Sequence, residues 1–275
     1  EMLGIPYNGS SVLASALCMD KYMTGQFLAT EGFDVPLQYL VDKEQFMNNK
    51  DAELARLQEF FGKTSLIVKP HDDGCSVMVA QADTKQELDQ ALSVIFADGK
   101  MHALVEERLK GMELTVGVMG NTTPQALPPS QTVSSKAILS MEEKFLPGAG
   151  ENQTPAPVPT LSQAFIKNTL EAVYSALNCR GYVRIDCFYQ TPSESPTGEE
   201  RLVILEINTL PALTPATCIF HQAAEIGLKP TDFLDIIVQL GFEEHCRRGI
   251  VAATDTSTHS PVTSMTMNPP ALENI

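Results

Sequence analysis

Basic residues are scarce in this chain, which has 19 Lys and Arg against 34 Asp and Glu and a formal net charge of -15. A surface this acidic repels phosphate backbones and anionic lipid surfaces, so we predict neither a nucleic-acid partner nor a membrane partner. A phosphate-bearing ligand would have to be held by a few locally placed cations. Individual lysines are therefore informative.

The sequence also lacks an apolar run of membrane-span length and an opening signal peptide. Its six cysteines are scattered without a CxxC pair, and their spacing matches neither a zinc site nor a small disulfide scaffold. We expect reduced, mostly buried thiols in a cytosol-like compartment. The opening stretch from Glu1 to Tyr7 reads like the end of a helix entering a strand, so we expect a further segment upstream.

The signatures of several enzyme classes are missing from the sequence as well. It contains no GxSxG nucleophile elbow. Gly62-Lys63-Thr64 resembles the end of a phosphate-binding loop, but Leu57 occupies the position of the required first glycine. The sequence therefore favours neither a serine hydrolase nor a P-loop enzyme.

Apolar residues are plentiful, since 43% of the 275 residues are hydrophobic, and they suffice for a buried core. Capping residues, helical periodicity and β-rich runs predict a small α+β unit from about Lys21 to about Val105, with strands at 65–69 and 75–80. Pro, Gly, Thr and Gln enrich residues 120–160, which predicts an irregular linker or functional loop. The later pattern predicts a helix at 161–177, strands at 182–189 and 202–208, and helices at 215–226 and 231–242.

Chemistry-bearing side chains concentrate on the strands predicted at 182–189 and 202–208. Alternation places Arg184 and Asp186 on one face of the first strand, and Glu206 and Asn208 on one face of the second. If the strands pair as an antiparallel hairpin, Asp186 lies roughly across from Glu206. Facing carboxylates repel each other, and a hard cation such as Mg²⁺ would resolve this. Neutralisation of both acids by Arg184 in a surface ladder is equally compatible with the pattern.

Three lysines are candidates for holding a phosphate. Lys69 closes an apolar strand just before a glycine turn, where its ammonium would lie at the edge of a cleft, and Lys21 and Lys144 are the other two. A lysine at the end of a strand is usually just solvated. The three positions therefore favour a phosphate site only in combination.

Seven short segments follow one another along the chain. They are Met19-Asp20-Lys21; Val68-Lys69-Pro70 with Gly74-Cys75-Ser76-Val77; Val105-Glu106-Glu107-Arg108-Leu109; Glu113-Leu114-Thr115-Val116; Arg184-Ile185-Asp186; and Leu205-Glu206-Ile207-Asn208-Thr209. This ordered series resembles the D-alanine–D-alanine ligases of the ATP-grasp superfamily, and the resemblance runs from about Gly4 to about Gly241. It implies an α+β ATP-grasp fold in which two α+β lobes sandwich the nucleotide.

The resemblance also implies a division of the chain into four parts. Residues 1–20 would be a remnant of an N-terminal domain or a connector, and 21–105 the central lobe. Residues 106–249 would form the C-terminal lobe, with a lid loop at 120–160, and 250–275 would be a disordered tail or linker.

An ATP site is the next implication of the resemblance. Lys21 and Lys69 would contact the α- and β-phosphates, and the backbone amides of Gly74, Cys75 and Ser76 would cover the phosphates as an anion-binding turn. Glu106 would accept the adenine amino hydrogens and Glu113 would bind the ribose hydroxyls. The segment between them would add contacts through Glu107 and Leu109.

The resemblance implies further residues for metal binding and catalysis. Asp186, Glu206 and Asn208 would hold two Mg²⁺ ions, with Mn²⁺ as a substitute. The catalytic set would be Arg184, which stabilises an oxyanion, Lys144, which reaches the γ-phosphate, and Ser76. The residues lining the amino-acid substrates would be Ala212, Thr217 and Phe145.

The implied reaction joins two D-alanines at the expense of ATP, through an acyl phosphate, in the synthesis of a peptidoglycan precursor. It requires positioning and charge neutralisation rather than a protein nucleophile, which suits the residue types present. The expected partners are small molecules, ATP and D-alanine, with a homodimer as a further option. The expected compartment is the cytoplasm, or the plastid stroma in a photosynthetic eukaryote.

Three alternatives remain open. The first is an ester-forming D-alanine–D-lactate ligase, because Phe145 follows Lys144 where peptide-forming members usually carry Tyr. The second is another carboxylate–amine ligase with the same ATP site. The third is a nucleotide-binding module that is inactive without an upstream domain.

Overall fold

The computed structural model describes residues 1–62, 65–74, 77–133, 151–215 and 217–249. Their helices are α1 (Val12–Met19), α2 (Lys21–Thr30), α3 (Lys43–Asn48), α4 (Lys50–Phe61), α5 (Lys85–Ala97), α6 (Thr160–Ala176), α7 (Cys218–Glu225) and α8 (Pro230–Arg247). Their strands are β1 (Gln38–Asp42), β2 (Leu66–Lys69), β3 (Ala80–Ala82), β4 (His102–Glu107), β5 (Met112–Gly120), β6 (Gln125–Ala126), β7 (Ser130–Val133), β8 (Glu151–Gln153), β9 (Gly181–Gln190) and β10 (Arg201–Asn208). Within these residues, no helix combines the length and apolar character that crossing a membrane requires.

The smaller of two antiparallel sheets has the strand order β1-β4-β2-β3. Helices α3, α4 and α5 share one hydrophobic core with it. Helix α5 begins at the predicted capping box of Thr84 and Glu87, and it buries Leu88, Leu92 and Ile95 at helical spacing. Because side chains alternate along a strand, the opposite face of this sheet is left for polar residues.

The larger sheet has the order β10-β9-β5-β7-β8, and β6 also pairs with β5. Helix α6 covers one face and buries Ile166, Leu170 and Tyr174, which recur at helical spacing. The Tyr174 hydroxyl donates to the Gly120 carbonyl at 2.5 Å, so the buried phenol has a partner. Helices α7 and α8 cover part of the other face through a second small core.

A β-bulge in β10 decides which side chain faces Asp186. The pairing places Ile204 opposite Cys187 and then Glu206 opposite Asp186, which leaves Leu205 as the extra residue. Without it, Leu205 would lie opposite Asp186, and Glu206 would point to the core face. The bulge therefore brings two carboxylates to one face. The predicted antiparallel hairpin and the predicted pairing of Asp186 with Glu206 are both confirmed.

Helix α2 packs against both sheets, and α1 packs against the larger one. Cys18 and Leu28 are buried in the core of the larger sheet. On α2, Gly25 lies against Gln38 of β1, and a Cβ at position 25 would be 2.2 Å from Gln38 Oε1. This close approach requires glycine. Because Leu28 packs in the core of the larger sheet, α2 is grouped with that sheet. The predicted domain boundaries after residues 20 and 105 stay a prediction.

Most of the predicted helices and strands are confirmed, and two predictions were wrong. The strand at 75–80 is wrong because the chain turns at Val77, whose N–H donates to the Gly74 carbonyl at 3.3 Å, and at Met78, whose φ is +54°. Strand β3 begins later, at Ala80. The stretch 120–160 is not wholly irregular, because β6 and β7 pair with the free side of β5 and β8 pairs with β7. The part of this stretch at 134–150 and the tail at 250–275 lie outside the described residues.

Candidate nucleotide and metal site

Lys21 stands where the two sheets approach each other. It is the first residue of α2 and is 8% exposed. Its Nζ donates to the backbone carbonyl of Asp73, in the loop after β2, and lies 3.4 Å from Glu206 Oε2 on β10. Its backbone N–H donates to the His71 carbonyl at 2.8 Å. One buried ammonium therefore connects the glycine turn of the smaller sheet with a carboxylate of the larger one.

Lys69 and Glu106 form a buried ion pair on the polar face of the smaller sheet. Lys69 Nζ lies 2.6 Å from Glu106 Oε2, and Gln38 Nε2 donates to Glu106 Oε1 at 2.8 Å. The three residues come from neighbouring strands, since β4 lies between β1 and β2. The family resemblance assigned Lys69 to the phosphates and Glu106 to adenine. Because the two side chains are in direct contact, the residues proposed for these two parts of the nucleotide lie side by side.

On the larger sheet, Asp186 is held by two neighbours. Arg184 binds the Asp186 carboxylate in a bidentate manner, since Nε donates to Oδ1 and Nη2 donates to Oδ2, each at 3.0 Å. Thr115 lies opposite Asp186 in the pairing of β5 with β9, and its hydroxyl donates to Asp186 Oδ1. The Asp186 charge raises the pKa of Arg184 above its already high ordinary value. Arg184 therefore stays a cation beside this carboxylate.

Asp186, Glu206 and Asn208 carry the hard oxygen ligands that Mg²⁺ prefers. The Glu206 side chain is 30% exposed, so its carboxylate reaches solvent. Asn208 lies opposite Arg184, and its Oδ1 accepts the Leu210 N–H at 3.2 Å. In the part of the chain that the structure describes, no group of three or more His, Cys, Asp or Glu could hold a metal ion by itself. This donor set fits a Mg²⁺ ion that also takes oxygens from substrate phosphates and water.

Two further predicted nucleotide residues flank this centre. Glu113 precedes Thr115 by two positions on β5, so the two side chains share the face that carries Asp186. Glu107, at the end of β4, accepts the Leu37 N–H at 3.1 Å through Oε1. Both positions lie on strands, β4 and β5, next to the place where the two sheets come close to each other.

The other predicted contact positions lie in connections. Leu109 is half-buried between β4 and β5. The Gly74 N–H donates to Asp73 Oδ1 at 3.0 Å. Ala212 is exposed in the segment after β10, and Thr217 precedes the first turn of α7, where its hydroxyl donates to the Thr214 carbonyl at 2.9 Å. No described contact joins these two substrate-lining candidates to the nucleotide residues.

Four predicted site residues lie outside the described residues: Cys75, Ser76, Lys144 and Phe145. Their assignments stay predictions. Three others that the structure brings into the site were not singled out from the sequence: Gln38, Thr115 and Gln222. Thr115 carries a recognisable signal, since it is the next polar residue on the same strand face as Glu113. Gln38 and Gln222 carry none, because their partners are distant in sequence.

Comparison with known proteins identifies related chains. A family model described as "D-ala D-ala ligase C-terminus" matches residues 27–239. The D-alanine–D-alanine ligase of Desulforudis audaxviator is 34% identical over 243 residues, which cover 88% of this chain and 75% of that protein. The D-alanine–D-alanine ligase of Carboxydothermus hydrogenoformans is 33% identical over 245 residues, with the same coverage of 88% and 75%.

Solved structures show the same likeness. A D-alanine–D-alanine ligase from Bacillus anthracis, complexed with ATP, superposes with a TM-score of 0.71 at 26% identity, covering 90% of this chain and 74% of that one. A D-Ala:D-Ser ligase from Enterococcus faecalis gives a TM-score of 0.73 at 28% identity, covering 86% of this chain and 66% of that one. The two sheets and the helices on them therefore have known counterparts.

Proposed function

Because the chain belongs to the D-alanine–D-alanine ligase family of ATP-grasp enzymes, we propose that the polar faces of its two sheets bind ATP and Mg²⁺ between them. The family is a class of ATP-dependent ligases that join two D-alanines for peptidoglycan synthesis. What this adds to the family assignment is the role of individual residues.

The observation that carries the proposal is the position of Lys21. Its ammonium contacts the Asp73 carbonyl beside the glycine turn and the Glu206 carboxylate on the other sheet. The phosphates of a nucleoside triphosphate lying between the sheets would contact the Lys21 ammonium, and Lys69 would supply a second ammonium from β2. In a chain with a net charge of -15, two buried lysines, each beside a carboxylate, are a specific feature.

The reaction transfers a phosphoryl group and then an acyl group. The carboxylate of one D-alanine attacks the γ-phosphorus of ATP, ADP leaves, and an acyl phosphate forms. The deprotonated amine of the second D-alanine then attacks the acyl carbon, and inorganic phosphate leaves. Every bond formed joins substrate atoms, so the protein's task is to position and neutralise.

The residues of this chain divide that task. Lys21 and Lys69 bind phosphate oxygens, and Arg184 stabilises the negative oxygen that develops on the acyl carbon. Asp186, Glu206 and Asn208 would hold Mg²⁺, which when bound neutralises charge on the phosphate oxygens. Lys69 carries three N–H donors, so it can keep its contact with Glu106 while donating to a phosphate.

A second candidate concerns the amino acid that supplies the amine. The D-Ala:D-Ser ligase superposes on this chain as well as the D-alanine–D-alanine ligases do. We therefore keep D-serine beside D-alanine, and D-lactate because of Phe145. A homodimer is also retained as a proposal. The cytoplasm is the proposed compartment because ATP is available there; the plastid alternative is not borne out, since the relatives named above are bacterial.

The test is titration calorimetry with ATP in the presence of Mg²⁺, on the wild type and on Lys21→Met. We expect the variant to bind at least ~10-fold more weakly, because a charged hydrogen bond is worth ~1.5–3 kcal/mol. Lys85→Met is the matched control, since Lys85 pairs at 2.9 Å with Asp51 at an exposed position. Absence of both heat and thermal shift in the wild type at millimolar nucleotide would contradict the proposed ATP site.

The substrate is tested separately, by mass spectrometry of products with D-alanine as donor and D-alanine, D-serine and D-lactate as competing acceptors. We expect the D-alanine dipeptide to predominate. Predominance of the D-serine dipeptide or of the D-lactate ester would reassign the acceptor and leave the ATP site intact.

A further inference from the structure

The Thr115 hydroxyl lies at the centre of a polar network beside the candidate metal ligands. It donates to Asp186 Oδ1, and the Cys218 thiol is its neighbour. Thr115 is 9% exposed, so its hydroxyl has little access to water. It reaches the carboxylate directly across the strands, because Thr115 and Asp186 are paired residues of β5 and β9.

Together, Thr115 and Arg184 determine how the Asp186 carboxylate is oriented. Arg184 alone binds both oxygens in a fork, which still allows the carboxylate and guanidinium to tilt together. The Thr115 hydroxyl approaches from the neighbouring strand and adds a third hydrogen bond. Three donors from two strands fix the carboxylate plane relative to the sheet.

Gln222 of α7 holds Thr115 in place in turn. It is fully buried, and its Nε2 donates to the Thr115 carbonyl at 2.7 Å and to Ser130 Oγ at 2.9 Å, while its Oε1 accepts the Gly117 N–H at 2.8 Å. Thr115 is the last residue of β5 that pairs with β7, and Gly117 directly precedes the two residues that pair with β6. The Gln222 amide therefore replaces a strand partner at this point.

Gly117 is part of the same arrangement. A Cβ there would be 2.9 Å from Ile219 Cγ1 and 3.0 Å from Gln222 Oε1, closer than side chains normally approach. The absence of a side chain at 117 lets α7 lie directly on β5, and this brings the Gln222 amide to the strand backbone. The network from Ser130 through Gln222 and Thr115 to Asp186 is thus continuous.

We propose that Thr115 is a positioning residue for Mg²⁺ binding: its hydroxyl orients the Asp186 carboxylate toward the metal, and Gln222 holds the Thr115 backbone through its carbonyl. Thr115 touches neither metal nor substrate in this role. The inference rests on the proposed function, because it assumes that Asp186 is a metal ligand. Mutation of the hydrogen-bonding partners of metal ligands typically lowers metal affinity by ~10–100-fold.

A purely structural role for the hydroxyl makes a different prediction. It would lower stability when removed but would leave the metal dependence of nucleotide binding unchanged. Thr115→Val and Thr115→Ser separate the two roles, since the first keeps the shape without the hydroxyl and the second keeps the hydroxyl without the methyl. Cys218→Ala removes the thiol neighbour of Thr115 while keeping its contact with Asp186.

The experiment measures the binding of Mn²⁺ by electron paramagnetic resonance in the presence of ADP, and of ADP by calorimetry with and without Mg²⁺. For Thr115→Val we expect metal affinity to fall ~10-fold, the lower end of the loss typical of such partners, while metal-free ADP affinity stays within ~2-fold of the wild type. Thr115→Ser and Cys218→Ala should stay near the wild type, and Gln222→Leu should show a smaller loss than Thr115→Val.

Each outcome has a distinct consequence. Unchanged metal affinity in Thr115→Val would overturn the positioning role, and so would equal losses in the Val and Ser variants. Loss of metal-free ADP affinity in Thr115→Val to the same degree would also overturn it, by showing a general distortion of the site. A wild type that binds ADP with no metal dependence would instead overturn the proposed metal site.

Discussion

The two sheets each present a carboxylate held by a cation, but they differ in burial. On the smaller sheet, the Lys69 and Glu106 side chains are 11% and 4% exposed and lie 2.6 Å apart. On the larger sheet, Arg184 and Asp186 are 27% and 15% exposed, and Glu206 stands beside them with its carboxylate in reach of solvent. One pair is closed off from water, while the other lies at the edge of an open face.

This difference separates stability from ligand binding. A buried charge whose partner is removed cannot be compensated by water, so the Lys69–Glu106 pair should matter to folding whether or not a nucleotide is present. A partly exposed carboxylate can exchange protein partners for water or a metal ion at small cost. We therefore expect substitutions in the first pair to lower the free energy of unfolding, and substitutions in the second set to change ligand affinity.

The substitution that should distinguish the two sheets most strongly is Lys69→Met. It leaves the buried Glu106 carboxylate with Gln38 alone beside it. We expect the free energy of unfolding to fall by ~3–5 kcal/mol, the usual cost of removing one partner from a buried ion pair. Urea denaturation followed by circular dichroism measures it.

The control for this prediction is an exposed lysine at the start of α5, which packs on the same sheet. Lys85→Met breaks a 2.9 Å contact with Asp51 between side chains that are 45% and 91% exposed, and should lower the free energy of unfolding far less than Lys69→Met. The double variant Lys69→Met/Glu106→Gln should recover part of the lost free energy of unfolding, because the second substitution removes the unpaired buried carboxylate. Equal, small losses for Lys69→Met and Lys85→Met would show that burial is not what distinguishes the pairs.

Glu244 on α8 sharpens the comparison, because it is a nearly buried carboxylate with several cations and no proposed ligand role. Hydrogen bonds from Arg247 and Arg248 lower its pKa to about 2, with Arg247 the larger contributor, against desolvation that opposes them. A carboxyl whose pKa is lower in the folded than in the unfolded chain stabilises the fold above its unfolded pKa. That stability is lost as the pH falls toward the folded value.

The measurement compares wild type and Glu244→Gln by urea denaturation across pH. We expect Glu244→Gln to cost ~2 kcal/mol near neutral pH, with the difference shrinking steadily below pH ~4.5 as the wild-type carboxyl becomes protonated. Glu243→Gln, at the adjacent exposed position, should change little at any pH. A difference for Glu244→Gln that is constant from neutral to acid pH would refute the electrostatic cause.

The site on the larger sheet could be predicted in outline because its pattern is local. Alternation along one strand places Arg184 and Asp186 on the same face, and a hairpin brings Glu206 near them. The bulge at Leu205 could not be predicted, since it depends on how the backbone of β10 fits the twist of the sheet. The correct pairing of Asp186 with Glu206 thus rested on a geometry that the pattern does not encode.

The smaller sheet was less predictable for the same physical reason. Lys69 and Glu106 were assigned to different parts of a nucleotide, and their contact requires β4 to lie beside β2, a pairing of strands distant in sequence. The strand predicted at 75–80 failed because its β-rich composition overlaps a turn through Met78. Propensity identifies which segments extend, but the pairing register decides where each strand begins.

Glu206→Gln should give the smallest change in the free energy of unfolding and the clearest change in ligand binding. Considered from the hairpin alone, removing one of two facing carboxylates should stabilise the metal-free fold. Lys21 alters this expectation, because its Nζ lies 3.4 Å from Glu206 Oε2, and the substitution removes that attraction together with the repulsion from Asp186. With a side chain that is 30% exposed, the two contributions should nearly cancel, and we expect a net change below ~1 kcal/mol.

The metal dependence of nucleotide binding should respond far more strongly to Glu206→Gln. Replacing a carboxylate ligand by an amide should weaken Mg²⁺-dependent ADP binding by at least ~10-fold, since losing even an outer partner of a metal ligand costs that much. Calorimetry with and without Mg²⁺ measures this, and urea denaturation of the same samples measures stability. A fall of several kcal/mol in metal-free stability with unchanged metal dependence would mean that Glu206 belongs to a structural charge ladder with Lys21 and Arg184. The two sheets would then differ only in the burial of their ion pairs, and the metal site would have to lie elsewhere.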